Sequence, residues 1–276
     1  MEINFLKLNI GSNDILLVDF LKATPPEDSI IPDIAKSICK RHRGVGANGL
    51  LLILPGKEEK IFLRYFLSNG REIDVFCDPI ICCAKYIFDR GLTGKDDFKV
   101  ETISGKKKVD IIDSKNFRIC SGKPFSIPDN TELYEEPESE YSVPIVLNNK
   151  NYNVIPLRIH TGGIVLFADR LTREKYKSLK NSLREVPEFK SQPLIVAQVI
   201  SRESIQQKTE NYKDSREIIS TASMSTVASV ISGFTEREVV VYSDQTELYV
   251  QWLQPSNKIY VTTSADYAFS GTYYLE

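Results

Sequence analysis

Arg41-His42-Arg43-Gly44-Val45-Gly46-Ala47-Asn48-Gly49-Leu50 is the stretch on which the reading of this 276-residue chain turns. Before it, apolar residues at 31, 34, 35, 38 and 39 give residues 31–43 a helical period. After it, residues 49–54 form an apolar run of strand length. A glycine-rich joint between a helix and a strand is a mixed α/β signal, and the neighbouring segments extend it in both directions.

Upstream, residues 3–10 and 14–20 read as a hairpin. Downstream, residues 61–67 and 72–76 read as short strands divided by the turn Ser68-Asn69-Gly70. Residues 80–89 form an apolar helix closed by Gly91, and 98–102 with 108–112 form another hairpin around Ser104-Gly105. Residues 124–144 are rich in Pro, Glu, Ser and Asn and read as a linker or crossover. The element order then repeats: strands 154–159 and 163–167, helix 172–183, strand 194–200, a small-residue helix 219–232 ended by Gly233, and strands 239–242, 247–253 and 258–262. Two domains are expected, 1–125 with a returning strand at 264–276, and 126–263.

Charge narrows the partners. Lys and Arg total 35 against 37 Asp and Glu, with no long block of one sign, so neither nucleic acid nor an anionic membrane is invited. Glu2, Lys7, Asn13 and Asp14 interrupt the first twenty residues, which excludes a signal segment or membrane span there and points to the cytoplasm. The cysteines, at 39, 77, 82, 83 and 120, are odd in number and lack a CxxC pair; His42 and His160 stand far apart, so neither disulfides nor a metal site is expected. A small-molecule ligand is the expected partner, and the apolar strands offer a surface a homodimer could use.

Residues 41–50 resemble the RHxGVGADGL stretch of the diaminopimelate epimerase family, with Asn48 in place of its Asp. Lys7-Leu8-Asn9-Ile10-Gly11-Ser12-Asn13-Asp14 follows the family's opening KMHGLGNDF pattern, and Leu92-Thr93-Gly94 and Val100-Glu101-Thr102 stand where GLT and VET are expected. Leu248 to Trp252, Ile259 to Thr262 and Ala265 to Gly271 match the closing strands. The resemblance implies an α/β (α+β) fold of two pseudo-symmetric domains, each a barrel-like sheet around a central helix, with an amino acid held between them. It also implies cofactor-independent epimerisation or racemisation, as in lysine and peptidoglycan precursor synthesis, with paired cysteines exchanging the α-proton and helix N-termini binding the substrate carboxylate.

The motif residues themselves are altered. Cys77 matches the first catalytic cysteine of CGNGxRC, and Cys82 the second if one loop residue is deleted, but the Gly-Asn-Gly between them is replaced by Asp78-Pro79-Ile80. Asp78-Pro79 reads as an N-cap followed by a first-turn proline, which would close the helix end to an anion. In the second motif, GETxACGTGxC, placing Glu217 at the glutamate puts Thr221 at the cysteine, and sliding by one puts Ala222 there. Asn13 persists. Thr161, Arg216, Glu217 and Asp78 are the remaining candidates for ligand contacts, although Arg216 and Glu217 read equally as a solvated pair at a helix start. His160 reads as a core histidine on an apolar strand. Cys77 itself reads either as the surviving proton carrier or as a small residue at a helix entry. Three functions follow: an epimerase-like protein with lost or altered activity; a non-catalytic ligand-binding or regulatory relative; and an enzyme using Cys77 with Thr221 for dehydration, or Asp78 and Glu217 for carboxylate-driven isomerisation.

Overall fold

A computed structural model describes residues 1–94, 96–127, 129–134, 141–209, 217–243 and 245–275. The chain divides into two compact units: Met1–Ile119 with Tyr212–Glu217 and Thr263–Glu276, and Cys120–Asn211 with Ile218–Thr262.

In the first unit, β1 (Glu2–Ile10) and β2 (Asn13–Asp19) form an antiparallel hairpin. Helix α1 (Ile31–Ile38) then crosses over, so that β3 (Gly49–Pro55) lies parallel to β2. The helix buries Ile31, Ile34, Ala35 and Ile38 against Leu16, Leu50 and Phe66 of the sheet. It ends five residues short of the expected 43 because the chain folds back over its C-terminus: Gly46 N–H donates to Ile38 and Ala47 N–H to Cys39. That return needs Gly44, where a Cβ would stand 2.3 Å from the Ser37 carbonyl oxygen. Strand β4 (Ile61–Leu67) pairs antiparallel with β3, and the two-residue β5 (Glu72–Ile73) adds to β4. Helix α2 (Cys77–Asp89) follows, three residues longer at its start than its apolar run suggested. It leads to β6 (Asp97–Thr102), which meets β4 in parallel, and then to β7 (Gly105–Ile111) and β8 (Asn116–Gly122).

The second unit runs through the same succession. After β9 (Phe125–Ser126) and β10 (Val143–Leu147), β11 (Lys150–Arg158) and β12 (Gly162–Phe167) form a hairpin. Helix α3 (Arg173–Arg184), capped by the Thr172 hydroxyl, returns the chain to β13 (Leu194–Ser201), parallel to β12. β14 (Ser204–Thr209) pairs antiparallel with β13; helix α4 (Ile218–Ile231) then leads to β15 (Glu238–Ser243), parallel to β14. β16 (Thr246–Leu253) and β17 (Lys258–Ser264) complete a meander. Residues 124–144 are only in part a linker: β9 pairs with β11, and Val143 already belongs to a strand. Residues 128 and 135–140 lie outside the described residues.

The last strand, β18 (Asp266–Tyr274), pairs antiparallel with β1 along nearly its full length, and Met1 and Leu275 exchange backbone hydrogen bonds of 2.9 Å. Among the described residues no helix is long and apolar enough to cross a membrane.

Candidate functional site

Helix α2 enters the core of the first unit buried on every side, with Cys77, Asp78 and Pro79 through Ala84 all inaccessible. An N-terminus placed there must satisfy its free N–H groups inside the protein. Asp78 does not supply the cap that the Asp-Pro pair suggested. The helix begins earlier, with extended Phe76 at the cap position and no side-chain cap bond. Asp78, already within the first turn, turns its carboxylate to Asn13, whose Nδ2 donates to Oδ2 at 2.8 Å. Its own N–H donates instead to the carboxyl group of Glu217.

A ladder of side chains leads from this point toward the surface. Asn48 Nδ2 donates to Asn13 Oδ1 at 2.8 Å, Arg41 donates to Asn48 Oδ1 at 2.8 Å, and the same guanidinium grips Asp14 at 2.8 and 2.6 Å. Lys7 adds a second cation 3.0 Å from Asp14. Burial alone would raise the Asp14 pKa, but Arg41 and Lys7 overcome it and hold the carboxyl below its usual range. At the inner end no cation among the described residues answers Glu217. Burial first, and then the neighbouring Asp78 carboxyl, push Glu217 well above the usual carboxylate range, against the single Asp78 N–H that favours its charge. Among the described residues its Oε2 has no hydrogen-bond partner.

Three thiols nearby, Cys39, Cys82 and Cys83, are not poised for proton exchange. Burial, reinforced by Asp78, raises Cys82 well above its ordinary value; burial also raises Cys83, and pushes Cys39 up to about 12. Cys77, the first residue of α2, is buried.

In the second unit, α4 is buried along all 14 residues yet carries six hydroxyl side chains. Each is satisfied within the unit. Thr221 donates to the Ile218 carbonyl and accepts from Gln207 Nε2 at 3.0 Å, while Ser225 donates to Gln207 Oε1 at 2.7 Å. Ser223 serves Ile219 and Ser121, Thr226 serves Ala222, and Ser229 serves Thr226 and Thr235. Thr161 sits in the turn after β11, its Oγ1 3.4 Å from Ser220 Oγ.

Of the candidates read from sequence, Asn13, Asp78 and Glu217 thus form one cluster in the first unit, and Thr161 and Thr221 stand at the start of α4 in the second. Arg216 lies outside the described residues. Glu217 is not half of a solvated pair but is 6% exposed, drawn inside by the α2 N–H. His160 lies in the turn between β11 and β12, half-buried, rather than on a strand. The roles of Asn48, Arg41 and Asp14 were missed, although all three fall inside the matched motifs. Among the described residues no three His, Cys, Asp or Glu side chains are grouped to hold a metal ion.

No family model matches the chain. Comparison with curated proteins finds it 27% identical over 279 residues to the diaminopimelate epimerase of Pelotomaculum thermopropionicum, covering 98% of each chain. It is 26% identical over 274 residues to that of Acetivibrio thermocellus, covering 97% of each. This chain is a relative of the diaminopimelate epimerases. A solved structure of a PhzF-family phenazine biosynthesis protein from Bacillus anthracis superposes with a TM-score of 0.68 at 13% identity, covering both chains fully, a likeness of fold. Among the positions that depart from the motifs read in the sequence, Asp78-Pro79-Ile80 fall in the first turn of α2, and Thr221 and Ala222 fall near the start of α4.

Proposed function

We propose that this chain keeps the diaminopimelate epimerase fold without the epimerase reaction and acts as a ligand-binding or regulatory relative. The observation that carries the reading is the Glu217 carboxyl on the Asp78 N–H. The N–H of a buried helix start, the group an epimerase of this kind would offer to a substrate carboxylate, is taken by the chain's own side chain. The second proton carrier is also missing: α4 holds no cysteine, and a threonine hydroxyl already bound to Ile218 and Gln207 is far too weak an acid to replace a thiol. Loss of one general acid or base costs roughly 10²–10⁴-fold, and loss of the carboxylate seat adds to it. Thr221's commitments weigh equally against Cys/Thr dehydration.

The test is solvent deuterium incorporation at the α-carbon of diaminopimelate, read by mass spectrometry for the wild type and Cys77→Ala. No uptake above a reagent blank is expected. Robust uptake that Cys77→Ala abolishes would restore the epimerase.

One observation favours a second reading, carboxylate-driven isomerisation: a buried Glu217 whose pKa is raised by burial and by Asp78, with an oxygen unpartnered among the described residues, resembles an acid waiting for a base. Deuterium uptake that survives Cys77→Ala and disappears in Glu217→Gln would select it.

A further inference from the structure

We propose that the second unit carries a binding site for a free amino acid with an aromatic side chain, in a groove unrelated to the α2 cluster. The groove has a volume of about 1150 Å³ and lies beyond the carboxyl ends of β12 and β13, the parallel pair joined by α3. In α/β units, that end of a parallel strand pair is where loops are free to carry ligand-binding side chains on a rigid base.

The loop from β12 to α3 is held at both ends. Ala168 N–H donates to the Ala197 carbonyl at 2.8 Å, and Leu171 N–H donates to Gln198 Oε1 at 2.7 Å. Between them Asp169 and Arg170 are exposed, line the groove and make no ion pair among the described residues. Two opposite charges on a loop whose backbone is pinned at both ends, neither neutralised by the other, present an anion and a cation to the groove. Exposed Lys150, at the start of β11, lines the same groove as a second cation.

The apolar wall is equally fixed. Helix α4 ends with Gly233 at φ 70, its N–H on the Val230 carbonyl at 2.9 Å, and Phe234 N–H on the Ser229 carbonyl at 2.9 Å. This is a Schellman end, in which the residue after the glycine commonly packs back on its own helix. Phe234 instead stays 42% exposed and meets Phe167 edge to face, with centroids 5.0 Å apart. Tyr152 completes the wall, held by Lys175, whose Nζ donates to its hydroxyl at 2.6 Å. A ring against Phe234, an ammonium at Asp169 and a carboxylate at Arg170 and Lys150 would each meet a complementary part of the groove's lining. A zwitterionic aromatic amino acid carries all three, and the pinned backbone spares most of the ordering cost of binding.

The full chain titrated into 4-fluoro-L-phenylalanine, followed by ¹⁹F NMR, should give saturable broadening. 3-(4-Fluorophenyl)propanoate, which lacks the ammonium, and 4-fluorophenethylamine, which lacks the carboxylate, should each bind about threefold to fivefold more weakly. Asp169→Asn should erase the preference over the propanoate, and Arg170→Gln with Lys150→Gln the preference over the amine. Phe234→Ala should weaken all three probes. Absence of saturable binding, equal binding of the three probes, or indifference to Phe234→Ala overturns the proposal; a propanoate that binds as tightly as the amino acid makes the groove an anion site only, which overturns it too.

Discussion

Helices α2 and α4 hold the same place in the order of elements, each between a hairpin and a parallel return, yet they meet the burden of burial in opposite ways. In α4 the polar groups are spread along the helix, and each hydroxyl finds a carbonyl, another hydroxyl or the Gln207 amide. At α2 polarity is concentrated at the entrance, where Asp78 of the first turn meets Glu217 from the segment just before α4, and ends at an oxygen with no partner among the described residues. A buried network fully satisfied stabilises one arrangement; one left incomplete stores cost at a single point. The second helix therefore behaves as core, and the first as a place where the chain could still respond to a proton or a ligand.

The largest effect that would sharpen this contrast lies in the second unit. Gln207→Leu strips partners from Thr221, Ser225 and Ser243 at once. It should cost about 3–5 kcal/mol, since each buried group left unsatisfied costs roughly 1–3 kcal/mol. Urea unfolding would measure it, and a loss below about 1 kcal/mol would mean that the α4 network adds little.

The first unit should show its incompleteness as a pH dependence. Glu217's pKa is raised in the folded protein above the 4.5 of an exposed glutamate, so the native state holds the proton longer than the unfolded chain does. Stability is then full below pH 4.5 and falls as pH rises toward the folded value, by at most about 1.4 kcal/mol per pH unit. Glu217→Gln should remove that slope and make the protein more stable at pH 7 than the wild type. Thermal melts from pH 5 to pH 8 that keep the same slope in both proteins would break the comparison.

A smaller effect tests satisfaction pair by pair. Ser223→Ala should cost about 1 kcal/mol by orphaning Ser121, and the Ser121→Ala, Ser223→Ala double variant should cost less than the sum. Smallest, with no change in stability, is thiol labelling of the native protein. Half-buried Cys120 should react first, while Cys39, Cys77, Cys82 and Cys83 wait for unfolding.

The elements were legible where side-chain spacing alone made them so. The apolar period through residue 39 marked α1, and the glycine at 233 marked the end of α4. β14 was not legible because its inward positions include Gln207 and Thr209, polar residues that become core only once the hydroxyls of α4 face them. The start of α2 was misplaced because a proline was assigned to the first helical position, whereas Pro79 is the third residue of a helix entered from extended Phe76. Of the site, motif matching found Asn13, Asp78 and Glu217 one at a time. What joins them, an amide 65 residues from its carboxylate and a glutamate drawn into the core, depends on contacts that local spacing does not encode.

The pairing of β18 with β1 also sets an order of events during synthesis. The second unit lies almost wholly between residues 120 and 262, so its strands are complete while the first unit still lacks the partner of its opening strand. Until residues 266–274 have left the ribosome, one side of β1 is an open edge able to pair with a neighbouring chain. A chain truncated between residues 264 and 266 should thus keep every strand of the second unit while its first unit, with β1 unpaired on one side, is prone to aggregate.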